Sequence, residues 1–188
     1  MKVSVGISNH HVHLTEDDFR IIFGDGELTV RNNLNQPGQF ASNETVSLIG
    51  PKGRLDKIII VGPFREYTQV EVSKTDCYKL GVDPPVRTSG DLDNSASIII
   101  EGPKGQIERN CCIIADRHIH VDKKIREEKG LVGIKEVSLK IGGIKSGIIN
   151  HVDLKDSNEA YFEVHIDTDD ANAFLLKNND EVEILDKM

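Results

Sequence analysis

The chain has 188 residues, and its 23 basic and 31 acidic side chains give a net charge of −8. This charge argues against nonspecific binding of nucleic acid, whose phosphates it would repel, and the apolar runs are too short for a membrane span. The length fits one large domain or two small ones, and aliphatic residues must build the core because only 5% of the residues are aromatic.

Short β-branched segments bounded by Gly, Pro, Asn or Asp predict strands along the whole chain. In chain order these segments are KVSVGIS, TVSLIG, KIIIVG, TQVEVS, ASIIIEG, NCCIIA, EVSLKIG, SGIINHVDLK, AYFEVHID and EVEIL. Helices are few: TEDDFRIIFG begins with a Thr cap and ends at Gly, TDCYKLGV follows a Thr cap, and TDDANAFLLKNND repeats the capped pattern. Many short strands at this spacing are typical of barrels or a sandwich.

A tetrapeptide is repeated between predicted strands. Gly50-Pro51-Lys52-Gly53 recurs as Gly102-Pro103-Lys104-Gly105. Because Pro fixes φ and Gly accepts positive φ, both copies predict hairpin turns. The repetition indicates a duplicated β-unit and therefore two related barrels.

The three cysteines do not form a disulfide framework, because their number is odd and Cys111 and Cys112 are adjacent. This usage is typical of a reducing compartment and predicts a cytoplasmic protein. Cys77 is a candidate nucleophile, but no His lies near it in the sequence.

Histidines occur in two matching pairs, His11 with His13 and His118 with His120. Residues two apart on a strand project to the same side, so each pair can bind one metal ion. His165 ends another predicted strand. Imidazole and carboxylate ligands suit Zn²⁺, and the pattern predicts at least one divalent metal.

A carboxylate partner is suggested by the segment GPFREYTQVEVS. Gln69, Glu71 and Ser73 share one face of its strand, and Arg65 precedes that strand. A solvated strand face with a loop arginine is the alternative interpretation of the same pattern.

Five motifs, in order along nearly the whole chain, resemble the PduL-type phosphate acyltransferases, also called phosphate propanoyltransferases. These motifs are SNHHVHLTEDDF, QPGQFASNETVSLIGPKG, VGPFREYTQVEVSKTDCYKLGVDPPVRTSGD, IADRHIHV and EVHIDTDDAN. No single motif is specific, but the five in order are.

The resemblance implies a mainly β fold of two β-barrel domains capped by short α-helices. One domain would comprise residues 1–9 with 117–188, the other residues 10–116, and the active site would lie between them. A homodimer is implied too. Relatives in bacterial microcompartments carry an N-terminal extension, whereas the first strand here starts near residue 2, so we expect a free cytoplasmic enzyme without a shell.

The implied reaction interconverts acyl-CoA plus phosphate with acyl phosphate plus CoA, for acetyl or propanoyl groups, at two zinc ions. The residues matching the family's site are His11, His13 and Glu71 for one zinc, His118, His120 and His165 for the second, and Arg65 as the active-site arginine. His10 and His151 match no ligand position. The acyl group, the physiological direction and the CoA contacts are left open by the sequence.

Phosphate must be held close to the thioester, and an arginine fork matches two phosphate oxygens. We expect Arg65 and the His118/His120/His165 metal to hold phosphate, and the other metal to lie at the thioester. CoA carries further phosphates, for which Arg87 and Arg117 are candidates. The alternative interpretation of each is a structural or surface arginine.

Two other functions fit a chain with two histidine pairs. A binuclear zinc hydrolase would cleave a thioester or ester without phosphate, although amidohydrolases need a (β/α)₈ barrel of about 250 residues. A non-catalytic binding module would use the metals only to stabilise strands, but structural zinc sites have four protein ligands and the groups here offer three.

Overall fold

The computed structural model describes residues 1–157 and 161–185, in which strands dominate. The strands are β1 (Lys2–Ser8), β2 (His11–His13), β3 (Val30–Asn33), β4 (Phe40–Ile49), β5 (Arg54–Gly62), β6 (Gln69–Glu71), β7 (Val86–Arg87), β8 (Ala96–Glu101), β9 (Gln106–Ala115), β10 (His118–Asp122), β11 (Glu136–Ile141), β12 (Gly147–Ser157), β13 (Phe162–Asp167) and β14 (Glu181–Leu185). Their β-branched composition favours this outcome over helix.

Short helices follow four of these strands. They are α1 (Glu16–Phe23), α2 (Lys74–Leu80), α3 (Lys123–Glu128) and α4 (Thr168–Phe174). Each begins at a side chain that accepts a hydrogen bond from a backbone N–H three residues later, which satisfies one of the donors exposed at a helix start. The caps are Thr15, Ser73, Asp122 and Asp167.

The chain divides into two compact units, and we name each after the part of the chain that forms it. The central barrel comprises Asn9–Ala115. The terminal barrel comprises Met1–Ser8 and Asp116–Met188.

The central barrel closes as a ring of six strands in the order β4-β5-β2-β6-β9-β8, with β8 returning to β4. At its middle, β2 and β6 are antiparallel, and each is parallel to its outer neighbour, β5 or β9. The strands β3 and β7 extend this sheet. Aliphatic side chains such as Val12, Ile60 and Val70 fill the interior.

The terminal barrel is a closed ring in the order β1-β13-β10-β12-β11-β14. Its middle pair, β10 and β13, is again antiparallel, and each member is again parallel to its outer neighbour, β12 or β1. Val5, Ile119 and Val164 belong to its apolar core. The two barrels therefore repeat one pairing scheme.

The two Gly-Pro-Lys-Gly segments form hairpin turns, as the sequence predicts, but both lie in the central barrel, so this repeat does not correspond to the two barrels. In both, the first glycine N–H donates to the last glycine carbonyl at 2.9 Å. The turns also cover helix ends: Lys52 N–H donates to Leu80 O at 3.0 Å, and Lys104 N–H to Ile22 O at 2.9 Å. A side chain at Gly102 would overlap Ile22, so glycine is required for this close approach.

The predicted mainly β fold of two barrels with short helical caps is confirmed. The Thr75 cap predicted for the second helix is wrong, because Ser73 begins α2 in a reciprocal pair with Asp76. The helix α3 escaped prediction because it has no buried residue and so no apolar stripe to indicate it.

Candidate active site

One cluster of side chains that could bind a metal ion lies on the middle strand pair of the central barrel. Alternation along β2 turns Val12 into the core and leaves His11 and His13 on the other face. On the antiparallel neighbour, Glu71 stands opposite His11. The structure therefore brings these three predicted ligands together, with one ligand atom from each within 4.8 Å of the others.

The hydrogen bonds of the two imidazoles assign their tautomers. His11 Nδ1 lies 2.8 Å from Asn9 O, and His13 Nδ1 lies 3.1 Å from Val61 O. Carbonyl oxygens only accept, so in the neutral form of each ring Nδ1 carries the proton and Nε2 carries the lone pair. Those two Nε2 atoms lie 3.1 Å apart. Two lone pairs at this separation repel unless a cation lies between them, so this cluster fits a metal ion.

Burial supports the neutral, metal-binding form of His13. Removal from water lowers its pKa well below the ordinary value, and the neighbouring His11 and Arg65 lower it further. A proton therefore does not compete with a metal for this nitrogen at neutral pH.

The third candidate ligand of this cluster, Glu71, is oriented by a buried amide. Gln69 Nε2 donates to Glu71 Oε1 at 2.7 Å, and Gln69 Oε1 accepts from the Gly90 N–H at 2.8 Å. Because a backbone N–H can only donate, the second contact fixes which way the amide faces. The other oxygen, Glu71 Oε2, lies 3.6 Å from His11 Nε2.

A second cluster occupies the equivalent strand pair of the terminal barrel. His118 and His120 lie on β10, and His165 stands opposite His118 on β13. One ligand atom from each lies within 4.8 Å of the others. His118 Nδ1 lies 2.9 Å from Asp116 O, so its Nε2 carries the lone pair, as in His11.

His120 is also kept neutral. Burial lowers its pKa to about 3, with contributions from the adjacent His118 and His165. Three imidazoles that converge in this way fit a divalent metal of borderline softness, such as zinc.

Two side chains, those of Tyr161 and Glu163, contact Nε2 of the His165 ring. Its Nε2 lies 2.9 Å from the Tyr161 hydroxyl and 3.2 Å from Glu163 Oε1, and that hydroxyl donates to the same carboxylate oxygen at 2.8 Å. Burial raises the pKa of Tyr161 far above its ordinary value, so the phenol keeps its proton. The network accordingly assigns a proton to His165 Nε2 and the lone pair to Nδ1.

Arg65 is a half-buried cation with neutral partners. Its guanidinium donates to Ser89 Oγ and Gln39 Oε1, each at 3.3 Å. Within the described part of the chain no carboxylate pairs with it, whereas Arg109 and Arg117 each pair with an aspartate. A guanidinium held in place without a counterion is suited to an anionic ligand.

A chain of hydrogen bonds joins Arg65 to the first cluster. Arg65 donates to Ser89 Oγ, which also accepts from Gln69 Nε2 at 2.8 Å, and the same amide donates to Glu71. The cation and the His11/His13/Glu71 cluster thus belong to one network. The expected pairing of Arg65 with the second cluster stays a prediction.

The two arginines proposed for CoA have other partners. Arg117 forms a two-pronged ion pair with Asp170, at 2.6 and 2.7 Å. Arg87 donates to the backbone oxygens of Asp93 and Val86, at 3.0 and 3.1 Å. Contact of either with CoA stays a prediction, as does an active site between the barrels.

Sequence reasoning missed Ser89, Gln39 and Glu163 as site residues. The first two reach Arg65 only through tertiary structure, so no local pattern could indicate them. Glu163 could have been found, since Glu163-Val164-His165 repeats the spacing of His11-Val12-His13.

Burial keeps the cysteines of the central barrel in the thiol form. It raises the pKa of Cys77 to about 11 and that of Cys111 to about 12, and it raises the pKa of Cys112 as well. No helix among residues 1–157 and 161–185 has the length and apolarity to span a membrane.

Comparison with known proteins gives a consistent result. The family model described as phosphate propanoyltransferase matches residues 4–177. A phosphate propanoyltransferase of Rhodopseudomonas palustris (strain BisB18) is 43% identical, across 99% of this chain and 83% of the relative. One from Thermotoga maritima is 43% identical, across 98% and 89%. One from Priestia megaterium is 44% identical, across 95% and 83%.

Proposed function

Because the chain belongs to the phosphate propanoyltransferase family and is thus a phosphate acyltransferase, we propose that it interconverts acyl-CoA plus phosphate with acyl phosphate plus CoA in a zinc-dependent reaction. The acyl group is acetyl or propanoyl. The observation that carries this proposal is the Arg65 guanidinium, which has neutral partners and is linked by hydrogen bonds to a cluster of metal ligands.

Arg65 and Ser89 bind the phosphate in this proposal. The fork of Arg65 donates two parallel hydrogen bonds to phosphate oxygens, and Ser89 adds a hydroxyl. Gln39 and Tyr67, which also contact the guanidinium, keep it in one orientation. Holding both reactants in position is worth about 7–11 kcal/mol when the geometry is good.

Two zinc ions would be held by His11, His13 and Glu71 and by His118, His120 and His165, since in each group one ligand atom per residue lies within 4.8 Å of the others. When bound, they supply Lewis acidity for the thioester carbonyl and an acceptor for the CoA thiolate. Three protein ligands at each ion leave a position open to substrate.

The bond changes are those of a direct attack. A phosphate oxygen forms a bond to the acyl carbon, the carbon–sulfur bond breaks, and its electron pair leaves with the CoA sulfur. Arg65 compensates the negative charge of the attacking phosphate. A covalent acyl-cysteine is disfavoured because the raised pKa values of the thiols leave almost no thiolate at neutral pH.

The assay for this proposal measures CoA release from acetyl-, propanoyl- and butanoyl-CoA, with and without phosphate. We expect release to require phosphate. Replacing Arg65 by Ala should lower it by about a hundredfold or more, the cost typical of losing one donor to a developing charge. The control is Arg20→Ala, which removes an exposed arginine on α1.

Equally fast CoA release without phosphate would contradict the proposal and favour a thioester hydrolase. Near-normal activity of Arg65→Ala would contradict the role of that residue. Absence of any acyl transfer, with metals bound, would favour the binding-module alternative.

The remaining parts of the proposal concern partners and location. We propose a homodimer of the cytoplasm. Three buried free cysteines fit a reducing compartment. Arg87 stays the better candidate for a CoA phosphate, because its carboxylate neighbour Asp91 lies 3.6 Å away, whereas Arg117 would have to give up two short hydrogen bonds to Asp170.

A further inference from the structure

Four strands of the chain carry one local pattern. In each, two polar residues alternate with two aliphatic residues, and the next residue caps a helix. The four copies are His11-Val12-His13-Leu14-Thr15, Gln69-Val70-Glu71-Val72-Ser73, His118-Ile119-His120-Val121-Asp122 and Glu163-Val164-His165-Ile166-Asp167. The aliphatic residue between the polar pair is fully buried in every copy.

These strands form the two antiparallel middle pairs. Each barrel therefore has four polar positions, two on each strand of the pair, which we call corners. In the central barrel His11 stands opposite Glu71, and His13 opposite Gln69. In the terminal barrel the corresponding pairs are His118 with His165, and His120 with Glu163. Position by position, Gln69 and Glu163 therefore occupy the same fourth corner.

We propose that Gln69 and Glu163 are equivalent positioning residues, each of which orients the third metal ligand of its barrel through a hydrogen bond. Gln69 donates to its ligand, and Glu163 accepts from its ligand. This inference rests on the proposed metal sites. Neither residue belongs to the three converging side chains of its own cluster. Each instead contacts the ligand two positions further along its own strand.

In the central barrel the oriented ligand is a carboxylate, which can only accept. Gln69 meets it with a donor, its Nε2, at 2.7 Å from Glu71 Oε1. The amide is fully buried, and its oxygen is committed to the Gly90 N–H. A carboxylate in place of this amide would face Glu71 as a like charge and would lose the donor.

In the terminal barrel the oriented ligand is an imidazole, whose outer nitrogen donates. Glu163 meets it with an acceptor, and Tyr161 donates to the same oxygen. Close packing holds the carboxylate there: a Cβ at Gly6 would overlap it and would lie 3.0 Å from His165 Cδ2. A carboxylate behind a metal-binding histidine fixes its tautomer and raises its basicity.

Zinc affinity tests the inference directly. The zinc-loaded protein is challenged with increasing chelator, and the zinc remaining per chain is measured. Glu163→Gln should weaken one of the two zinc equivalents by about 10- to 100-fold and leave the other unchanged, the range typical for such outer partners. Gln69→Glu should lower the affinity for the other zinc equivalent and leave the affinity for the first unchanged.

A matched control exists on the surface of the terminal barrel. His151 Nδ1 contacts Glu136 Oε1 at 3.1 Å, outside either cluster. Glu136→Gln makes the same chemical change in another Glu–His pair and should leave both zinc affinities unchanged. Thermal unfolding of the chelator-treated proteins separates a lost metal from a lost fold.

A sharper test restores the match between hydrogen-bond donor and acceptor with a second substitution. His165→Glu alone leaves two carboxylates side by side, whereas His165→Glu with Glu163→Gln recreates the Gln–Glu arrangement of the central barrel. The double variant should bind the second zinc at least about tenfold more tightly than the single variant. This gain cannot come from a role of Glu163 in packing alone.

Unchanged affinity in Glu163→Gln, or a double variant no better than His165→Glu, overturns the inference. So does a protein that binds no zinc. If the affinities change as expected but CoA release does not depend on phosphate, the proposed function fails and the inference stands. The reverse result removes the inference and leaves the function.

Discussion

The central and terminal barrels share one pairing scheme but differ in the third and fourth corners of their middle strand pairs. The central barrel has Glu71 with Gln69, and the terminal barrel has His165 with Glu163. With a divalent ion, two imidazoles and a carboxylate carry a net charge of +1, whereas three imidazoles carry +2, which the Glu163 carboxylate beside them lowers to +1. The comparison teaches that the scaffold fixes where the ligands lie, while the third and fourth corners decide whether the carboxylate of each barrel is itself a ligand or the partner of one.

The largest expected effect comes from removing one ligand in each barrel. His13→Ala and His120→Ala should each lose one zinc equivalent, with activity lower by about a hundredfold or more, because a Lewis acid contributes several kcal/mol. Elemental analysis and CoA-release kinetics check this. An effect on the KM for phosphate in one variant and on kcat in the other would assign different roles to the barrels.

The control for these variants is His151→Ala, since His151 is exposed and lies outside both clusters. Full activity with a single zinc equivalent in either variant would show that the two barrels are not both required.

A smaller effect is expected at Gly6, where the terminal barrel has a close approach. Gly6→Ala should displace Glu163 and lower the affinity of the terminal barrel for zinc by about tenfold, while the central barrel keeps its own. Competition with a chelator measures both values. Gly142→Ala is the control, because a Cβ there meets nothing within 4 Å. Indistinguishable affinities in the two glycine variants would argue against this tight contact.

The smallest effect is expected from the thiols, all of which lie in the central barrel. Cys77→Ala should keep its acyl transfer activity, because burial raises the pKa of this thiol to about 11 and direct attack needs no thiolate. Iodoacetamide at neutral pH should label Cys77 only after denaturation, as mass spectrometry would report. Loss of turnover with an intact fold would revive the acyl-cysteine route.

The sequence predicted those features that depend on local order. Its strands follow from β-branched runs, and the ligand pairs follow from the two-residue period of a strand, which places His118 and His120 on one side. The register of β2 against β6 is a tertiary property, which no local pattern indicates. The same holds for the contacts of Gln69 with Ser89 and Gly90. The cap of α2 was misplaced because Ser73 and Thr75 both suit a cap, and only the contact with Asp76 decides between them.

The use of the first strand by the terminal barrel has a consequence for biosynthesis. Strand β1 pairs with β13 and β14, which leave the ribosome much later, whereas the central barrel needs only Asn9–Ala115. At a synthesis rate of about 5–20 residues per second, β1 is made on the order of ten to thirty seconds before its partner strands. A nascent chain arrested before His165 can complete the first ligand set but not the second, so translation past His165 is required before both ion sites can exist.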